Sequence, residues 1–221
     1  MAQELRVCIL ASGGIDSSLL IHQALQESAE VHPLYIAFDF FWEPLELESL
    51  KKLLQKMATP SLKELLVSSV SYGEFFPEHW GYHTDQVPDR HAPDTEVLIP
   101  GRNLFLFSQG ALHCHSQDLS EIWIGSLKGN PYPDAEPTFF VEMEQLLSKA
   151  WGRDLKIRAP FRHLSKWELV NQFPDFPYHL TVTCLRPQGD HHCGNCNKCE
   201  ERRINFQKAG LRDPTHYLFN P

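Results

Sequence analysis

The chain has 221 residues, a formal net charge of −8 at pH 7 with histidines neutral, 42% hydrophobic residues and six cysteines. That length supports a substantial core and makes one domain the default. The acidic balance argues against a protein whose main work is gripping a nucleic-acid backbone, and no apolar run approaches the ~18 residues of a membrane span.

The opening residues, Met1-Ala2-Gln3-Glu4-Leu5-Arg6, lack a signal-peptide pattern. The chain therefore reads as cytoplasmic, with cysteines reduced or metal-bound. Leu5–Leu10 is a predicted strand, followed by a helix over Ser17–Glu27 with Leu20, Ala24 and Leu25 on one side. Val31–Phe38 is a second strand, and Leu47, Leu50, Leu54 and Met57 recur at helical spacing within Pro44–Met57. Leu62–Ser69 is a third strand. The following segment, Val70–Pro100, is long and lacks a pattern, and a loop of that kind is functional or disordered. Its aromatics Phe75, Phe76, Trp80 and Tyr82 argue against disorder. It reads as a lid, the plain alternative being a surface loop with its own small apolar cluster. Asn103–His115 reads as a buried helix, Glu121–Gly125 as a strand, Thr138–Ala150 as a helix and Leu155–Ala159 as a last strand, with Lys166 opening a further helix. Strands alternating with helices imply a parallel sheet covered on both faces. Ligands bind beyond the carboxyl ends of such strands. The informative stretches are therefore Ser12–Ser17, Asp39–Glu43, Gly125–Asp134 and Pro160–Lys166.

The strongest of these is Ser12-Gly13-Gly14-Ile15-Asp16-Ser17, between an apolar strand and a helix. A turn of this kind points backbone N–H groups outward at the positive end of the helix dipole and makes an anion site. The two glycines let a phosphate approach closely, and the serine hydroxyls add donors. Asp16 would repel a phosphate unless a Mg²⁺ sits between them. The plain alternative is an ordinary turn with a serine cap.

Near the C-terminus stands Cys184, followed by Cys193-Gly194-Asn195-Cys196-Asn197-Lys198-Cys199. Two consecutive Cys-x2-Cys steps closed by an upstream cysteine suit a tetrahedral thiolate site, and a closed set of four indicates structural Zn²⁺. A cysteine-held iron–sulfur cluster is the minority reading. His191 and His192 read as solvated loop residues, and Cys8 and Cys114 as small core residues.

The hexapeptide resembles the Ser-Gly-Gly-x-Asp-Ser loop of PP-loop ATP pyrophosphatases; Walker A and dinucleotide loops need other spacings. With Pro100-Gly101-Arg102-Asn103, Tyr132-Pro133-Asp134, the Pro160–Lys166 stretch and Thr183-Cys184 before the cysteine knuckle, the chain resembles the 7-cyano-7-deazaguanine synthase family over nearly its full length. The resemblance implies a Rossmann-like, doubly wound parallel sheet of the adenine nucleotide alpha hydrolase-like type over residues 1–183, with a zinc knuckle and C-terminal helix over 184–221. It implies an ATP-dependent ligase that adenylates a deazapurine carboxylate, uses ammonia to form a nitrile, and binds ATP, Mg²⁺ and Zn²⁺. Nucleotide contacts would come from Ala11, Ser12, Gly13, Gly14, Ile15, Asp16, Ser17, Ser18, Asp39, Gly101 and Arg102. Asp16, Arg102 and Lys166 would act in catalysis, and Phe41, Lys128, Tyr132 and Asp134 would meet the substrate. Metal ligands would be Cys184, Cys193, Cys196 and Cys199. No nucleic acid or membrane partner is implied, and a homodimer stays open.

Two stretches depart from the family pattern. Asp39-Phe40-Phe41-Trp42-Glu43 stands where the family has Asp-Tyr-Gly-Gln-x-His, and Ala135-Glu136 stands where it has Cys-Arg. Phe40, Phe41 and Trp42 could stack on a purine or simply pack. Activation of a different acceptor, tRNA thiolation, and a non-enzymatic zinc-knuckle regulator remain the competing readings.

Overall fold

The computed structural model describes residues 5–220. The segment 1–4, part of the stretch read for a leader, and Pro221 lie outside the described residues. Five strands, β1 (Arg6–Leu10), β2 (Glu30–Ala37), β3 (Leu66–Ser69), β4 (Glu121–Trp123) and β5 (Lys156–Arg158), form one sheet in the order β3-β2-β1-β4-β5. Every pairing is parallel. The helices are α1 (Ile15–Gln26), α2 (Glu43–Lys56), α3 (Arg102–Gln117), α4 (Pro137–Trp151), α5 (Lys166–Gln172) and α6 (Asn197–Lys208).

Strand alternation divides the interior in two. Val7, Ile9 and Ala11 face the side packed by α1, α2, α5 and α6, where Leu19, Leu50, Leu169 and Phe206 join them. Cys8 and Leu10 face the opposite side, packed by α3 and α4 through Phe107, Phe140 and Met143. Both faces are thus covered, as a parallel sheet requires. Cys8 and Cys114 are buried core residues, as their apolar settings suggest.

Three expectations change. The third strand starts at Leu66 rather than Leu62, and Pro33 explains why. Val31 pairs outward through its N–H to Ser61 and its carbonyl to Lys63. Pro33, two residues on, points to the same edge and has no N–H, so the ladder breaks and resumes at Leu34 with Leu66. The helix over Asn103–His115 is buried on one face only: Phe107, Ala111 and Cys114 are inside, while Leu104 and Leu112 are exposed.

The third concerns Val70–Pro100, which is neither an open lid nor a self-contained cluster. Short 3-10 turns at Tyr72–Glu74, Trp80–Tyr82 and Asp94–Val97 organise it. Tyr72 is fully buried in the α3 side of the core. The Tyr82 hydroxyl donates to the Phe38 carbonyl at 2.7 Å, and that of Tyr72 to the Pro100 carbonyl at 3.1 Å. Further along, the Pro88 and Ala92 carbonyls accept from Asn197, at 3.1 and 2.6 Å, and so clamp the segment to the start of α6.

Candidate active site

β1 delivers the chain into the Ser12–Ser17 loop. Gly13 has φ +73°, and a Cβ there would lie 2.9 Å from the Glu46 carbonyl oxygen, so left-handed geometry and space both demand glycine. Gly14 precedes α1 as its N-cap without a side-chain cap. The loop instead holds itself closed: the Ser12 N–H donates to the Ser17 hydroxyl at 3.1 Å, and the Gly14 N–H to the Ser12 hydroxyl at 3.3 Å. The helix's first bond runs from Ser18 N–H to the Gly14 carbonyl, leaving Ile15, Asp16 and Ser17 N–H groups without an intrahelical acceptor. The chain after β4 crosses this turn closely. A Cβ on Gly125 would sit 2.9 Å from the Asp16 carbonyl carbon and the Ser17 nitrogen.

Above the strand ends lie two adjoining cavities of about 240 and 530 Å³, sharing Ser12, Gly14, Asp16, Arg102, Gly125 and Tyr132 as walls. The smaller is walled by Leu34–Ile36 and Val97–Ile99. The larger opens between Trp42, Glu46, Lys128 and the faces of α5 and α6 that carry Lys166 and Glu201. β1 and β4 are neighbours while their crossovers run to opposite sides, so the crevice occupies the topological switch point.

Charge is concentrated here. Lys166 Nζ lies 3.4 Å from Asp16 Oδ2 and 2.8 Å from Glu201 Oε1; Lys198 Nζ lies 2.8 Å from Glu201 Oε2 and 3.1 Å from Asp94. Burial raises the Asp16 carboxyl above its ordinary range despite the pull of Lys166. Burial opposes ionisation of Glu201 as well, but Lys166 and Lys198 outweigh it and hold that carboxyl at about 2. Burial would lower Lys166, yet Asp16 and Glu201 win and hold it above its usual value. On the α2 side, burial pushes Glu43 up to about 7 and Glu46 up to about 8, with Arg102 pulling both down. Glu43 accepts the Phe38 N–H at 2.8 Å, and Glu46 Oε2 accepts the Tyr35 hydroxyl at 3.1 Å.

Several buried polar atoms of crevice-lining residues have no hydrogen-bond partner among the described residues: Asp16 Oδ1, Ser126 Oγ, Thr183 Oγ1 and Arg102 Nε. A buried carboxylate oxygen without a donor costs folding free energy, and a hard divalent cation is the partner whose chemistry matches it. Asp16 therefore fits Mg²⁺.

Cys184, Cys193, Cys196 and Cys199 are all buried, with their sulfurs within 4.8 Å of one another. The Cys193 and Cys199 sulfurs are 4.0 Å apart, close to the ~3.8 Å edge of a tetrahedron with ~2.3 Å metal–sulfur bonds. Backbone N–H groups of Arg186, Cys193 and Asn195 donate to these sulfurs at 3.2–3.4 Å, as thiolates would want. Gly194, at φ +78°, permits the knuckle, and any side chain there would collide with the Phe219 carbonyl. The donor set fits a metal ion. His191 is exposed beside Asp190. His192, in contrast, is buried against Tyr217, not solvated: its N–H bonds the His216 carbonyl and pulls the side chain inward.

The structure brings Ala11, Ser12, Gly14, Ile15, Asp16, Ser17, Arg102, Lys128, Tyr132, Asp134 and Lys166 to the cavity walls. Gly13 shapes the loop, and Ser18 is buried behind it. Asp134 serves α3, accepting the Asn103 N–H at 2.9 Å, and Gly101 caps the same helix in left-handed geometry. Among the described residues Arg102 makes no ion pair; its guanidinium lies over the Phe38 ring at 5.9 Å. Asp39, exposed at φ +62°, and Phe41 line neither cavity. The aromatic run packs: Phe38, Phe40, Trp42 and Trp80 form consecutive stacked pairs at 5.7, 4.6 and 5.2 Å. Phe40 has no free face, and only Trp42 and Trp80 reach a cavity wall.

Residues not anticipated are Tyr35, Glu46, Ser126, Thr183, Lys198 and Glu201. The spacing of Lys198 and Glu201 on one helix announces their own pair. Their connection to Asp16 is made only by tertiary packing of α5 on α6.

A five-stranded parallel sheet with a Ser-Gly-Gly-x-Asp-Ser turn at its switch point and a cysteine knuckle closing the chain defines an enzyme of the PP-loop ATP pyrophosphatase class. Within that class the affiliation is narrower. The family model described as queuosine biosynthesis protein QueC matches residues 6–210, and the chain belongs to that family. It is 30% identical to a 7-cyano-7-deazaguanine synthase of Leptospira interrogans, covering 94% of this chain and 89% of that protein. It is 31% identical to one of Acetivibrio thermocellus (96% and 98%) and 30% identical to one of Thermoplasma volcanium (98% and 92%). Among the described residues no helix is long and apolar enough to cross a membrane.

Proposed function

We propose that the protein is an ATP-dependent carbon–nitrogen ligase that converts 7-carboxy-7-deazaguanine, ammonia and ATP into 7-cyano-7-deazaguanine. The observation that carries this reading is the self-closed Ser12–Ser17 loop with the unpartnered Asp16 oxygen beside it, at the junction of two cavities. A nucleotide and an acceptor each have a compartment, and their reacting groups meet at the loop. The smaller cavity, with an apolar side made by Leu34, Ile36, Val97 and Ile99, suits adenine, and the larger, with Lys128, Lys166 and Lys198 on its walls, suits the acceptor.

In the first half-reaction a carboxylate oxygen attacks the α-phosphorus of ATP and pyrophosphate leaves. Ammonia then attacks the carbonyl carbon and AMP leaves with that oxygen, giving the amide. A second ATP is cleaved by the amide oxygen, and loss of AMP with two N–H protons gives the nitrile. Both carboxylate oxygens depart in the two AMP molecules. The N–H groups of Ile15, Asp16 and Ser17 and the hydroxyls of Ser12 and Ser17 hold the departing pyrophosphate. Arg102 and Lys166 bring positive charge to it. Asp16 would hold Mg²⁺, which neutralises phosphate charge when bound. The four cysteines would hold structural Zn²⁺, with no open position for chemistry.

A second reading, activation of a different acceptor, has one observation in its favour: Trp42, stacked between Phe40 and Trp80 on the wall of the larger cavity, stands where the family pattern has Gln. Incubating the protein with ATP, Mg²⁺, ammonium and 7-carboxy-7-deazaguanine, with mass detection of the nitrile, tests the primary reading. Absence of nitrile with intact ATP binding overturns it and leaves the altered acceptor.

A further inference from the structure

Lys166 is shared. Its ammonium sits 3.4 Å from Asp16, the proposed cation ligand, and 2.8 Å from Glu201, so the second contact is the tighter. Glu201 is fully engaged: Oε1 meets Lys166 and Oε2 meets Lys198, each at 2.8 Å. Lys198 in turn reaches Asp94 at 3.1 Å, on the wall of the larger cavity. The chain of alternating charges runs from the nucleotide loop, through α5 and α6, to the 70–100 segment. Its placement depends on the cysteine knuckle, because Cys196 is the N-cap of α6 and Cys199 lies in its first turn, between Lys198 and Glu201 in sequence. At the other end Ser165 and Glu168 form a capping box that fixes the start of α5 at Lys166.

We propose that Glu201 is a positioning residue for Lys166. It tethers the ammonium at the mouth of the loop so that Lys166 can leave Asp16 for the nucleotide's phosphates without leaving its anchor. A divalent cation arriving at Asp16 repels Lys166, and the phosphates arriving with it attract the same group. The side chain then pivots about its contact with Glu201. Without the carboxylate, Lys198 repels Lys166 and nothing opposes its collapse onto Asp16, where it competes with the cation. This inference rests on the nucleotide reading of the loop.

The test measures binding of Mg²⁺ and α,β-methylene-ATP, which resists cleavage, to the full chain by calorimetry at several Mg²⁺ concentrations. Glu201→Gln is expected to weaken binding about tenfold, the size of one charge-assisted hydrogen bond, and to raise the Mg²⁺ concentration giving half-maximal binding. Glu201→Asp is expected to restore most of the affinity. The double variant Lys166→Met/Glu201→Gln is expected to bind no worse than Lys166→Met alone. Weakened binding with an unchanged Mg²⁺ requirement, or losses that add in the double variant, would show a merely structural role and overturn the proposal. So would a Glu201→Gln protein that binds like the wild type. If the wild type itself fails to bind the analogue, the nucleotide reading falls and the tether with it, an outcome distinct from an indifferent Glu201→Gln.

Discussion

The backbone N–H of Val182 donates to the carbonyl of Gly13 at 2.9 Å, so the segment entering the first cysteine is hydrogen-bonded to the phosphate loop. Thr183 follows with an unpartnered hydroxyl in the larger cavity, and Cys184 follows that. The cysteine cluster and the Ser12–Ser17 loop are thus joined by one strap, the Gly13 partner Val182 lying two residues before Cys184, although about 170 positions separate the two motifs in sequence. Disturbing either end is expected to be felt at the other.

Removing the metal is the direct test of that strap. A strong chelator, or Cys193→Ser, is expected to release the ion, lower the melting temperature and weaken ATP-analogue binding together, because metal binding contributes folding free energy. Metal analysis beside differential scanning fluorimetry and calorimetry checks it. Unchanged nucleotide affinity after metal loss would disprove the coupling.

Asp16→Asn keeps the shape of the side chain and removes its charge. Pyrophosphate release from ATP in the presence of acceptor is expected to fall by at least ~10²-fold, the scale of losing one electrostatic element of a catalytic site. Thermal stability should hold or rise, since burial already disfavours the Asp16 carboxylate. A mutant that retains more than a tenth of wild-type turnover would remove Asp16 from the mechanism.

Gly13→Ala places a methyl 2.9 Å from the Glu46 carbonyl and asks an L-residue to hold φ +73°. The left-handed backbone alone costs roughly 1–2 kcal/mol. Gly129→Ala, also at positive φ (+79°) but with open space around it, isolates the backbone term. The melting temperature is expected to fall further for Gly13→Ala than for Gly129→Ala, and equal shifts would deny the steric contact.

Glu43 and Glu46 titrate at about 7 and about 8 in the folded protein because burial disfavours their charge. Their unfolded values are near the ordinary ~4.3. The folded state therefore binds more protons between these limits, and the stability these groups contribute is present at low pH and lost as pH rises towards 8. Glu46→Gln is expected to flatten the fall in melting temperature between pH 5.5 and pH 8. A slope identical to wild type would show that Glu46 ionises freely in the fold.

Trp42→Ala breaks the stack between Phe40 and Trp80 and empties a buried site, with an expected loss of about 3–5 kcal/mol by urea unfolding. Phe41→Ala, on a half-buried ring that lines no cavity, is expected to cost less and to leave nucleotide affinity alone.

Local chemistry explains what the chain discloses before folding. The hexapeptide carries its own strand, turn and helix signals, and the cysteine spacing carries its own coordination geometry, so both were legible. Pro33 was equally visible, but its effect on β3 depends on which edge its nitrogen faces, a property of the assembled sheet. The order of charges from Asp16 to Asp94 draws on four separate stretches, and no periodicity links them. The 70–100 segment hid its structure for a related reason. Tyr72, Trp80 and Tyr82 obey neither period because they pack on a surface made by Phe38, Phe40 and Trp42 rather than on a repeating element of their own.

The four-ring stack ties two distant stretches of sequence together. Phe40, Trp42 and Trp80 lean on one another, and Gly81 must lack a side chain for Phe40 to fit. A Gln at position 42 alone would remove the ring that stacks on both Phe40 and Trp80 and leave a void between them. Exchanges at Phe40, Trp42, Trp80 and Gly81 are therefore expected to be coupled rather than additive, because these residues share contacts. An attempt to redesign the strand end at 40–42 would have to move the distant 80–81 turn with it.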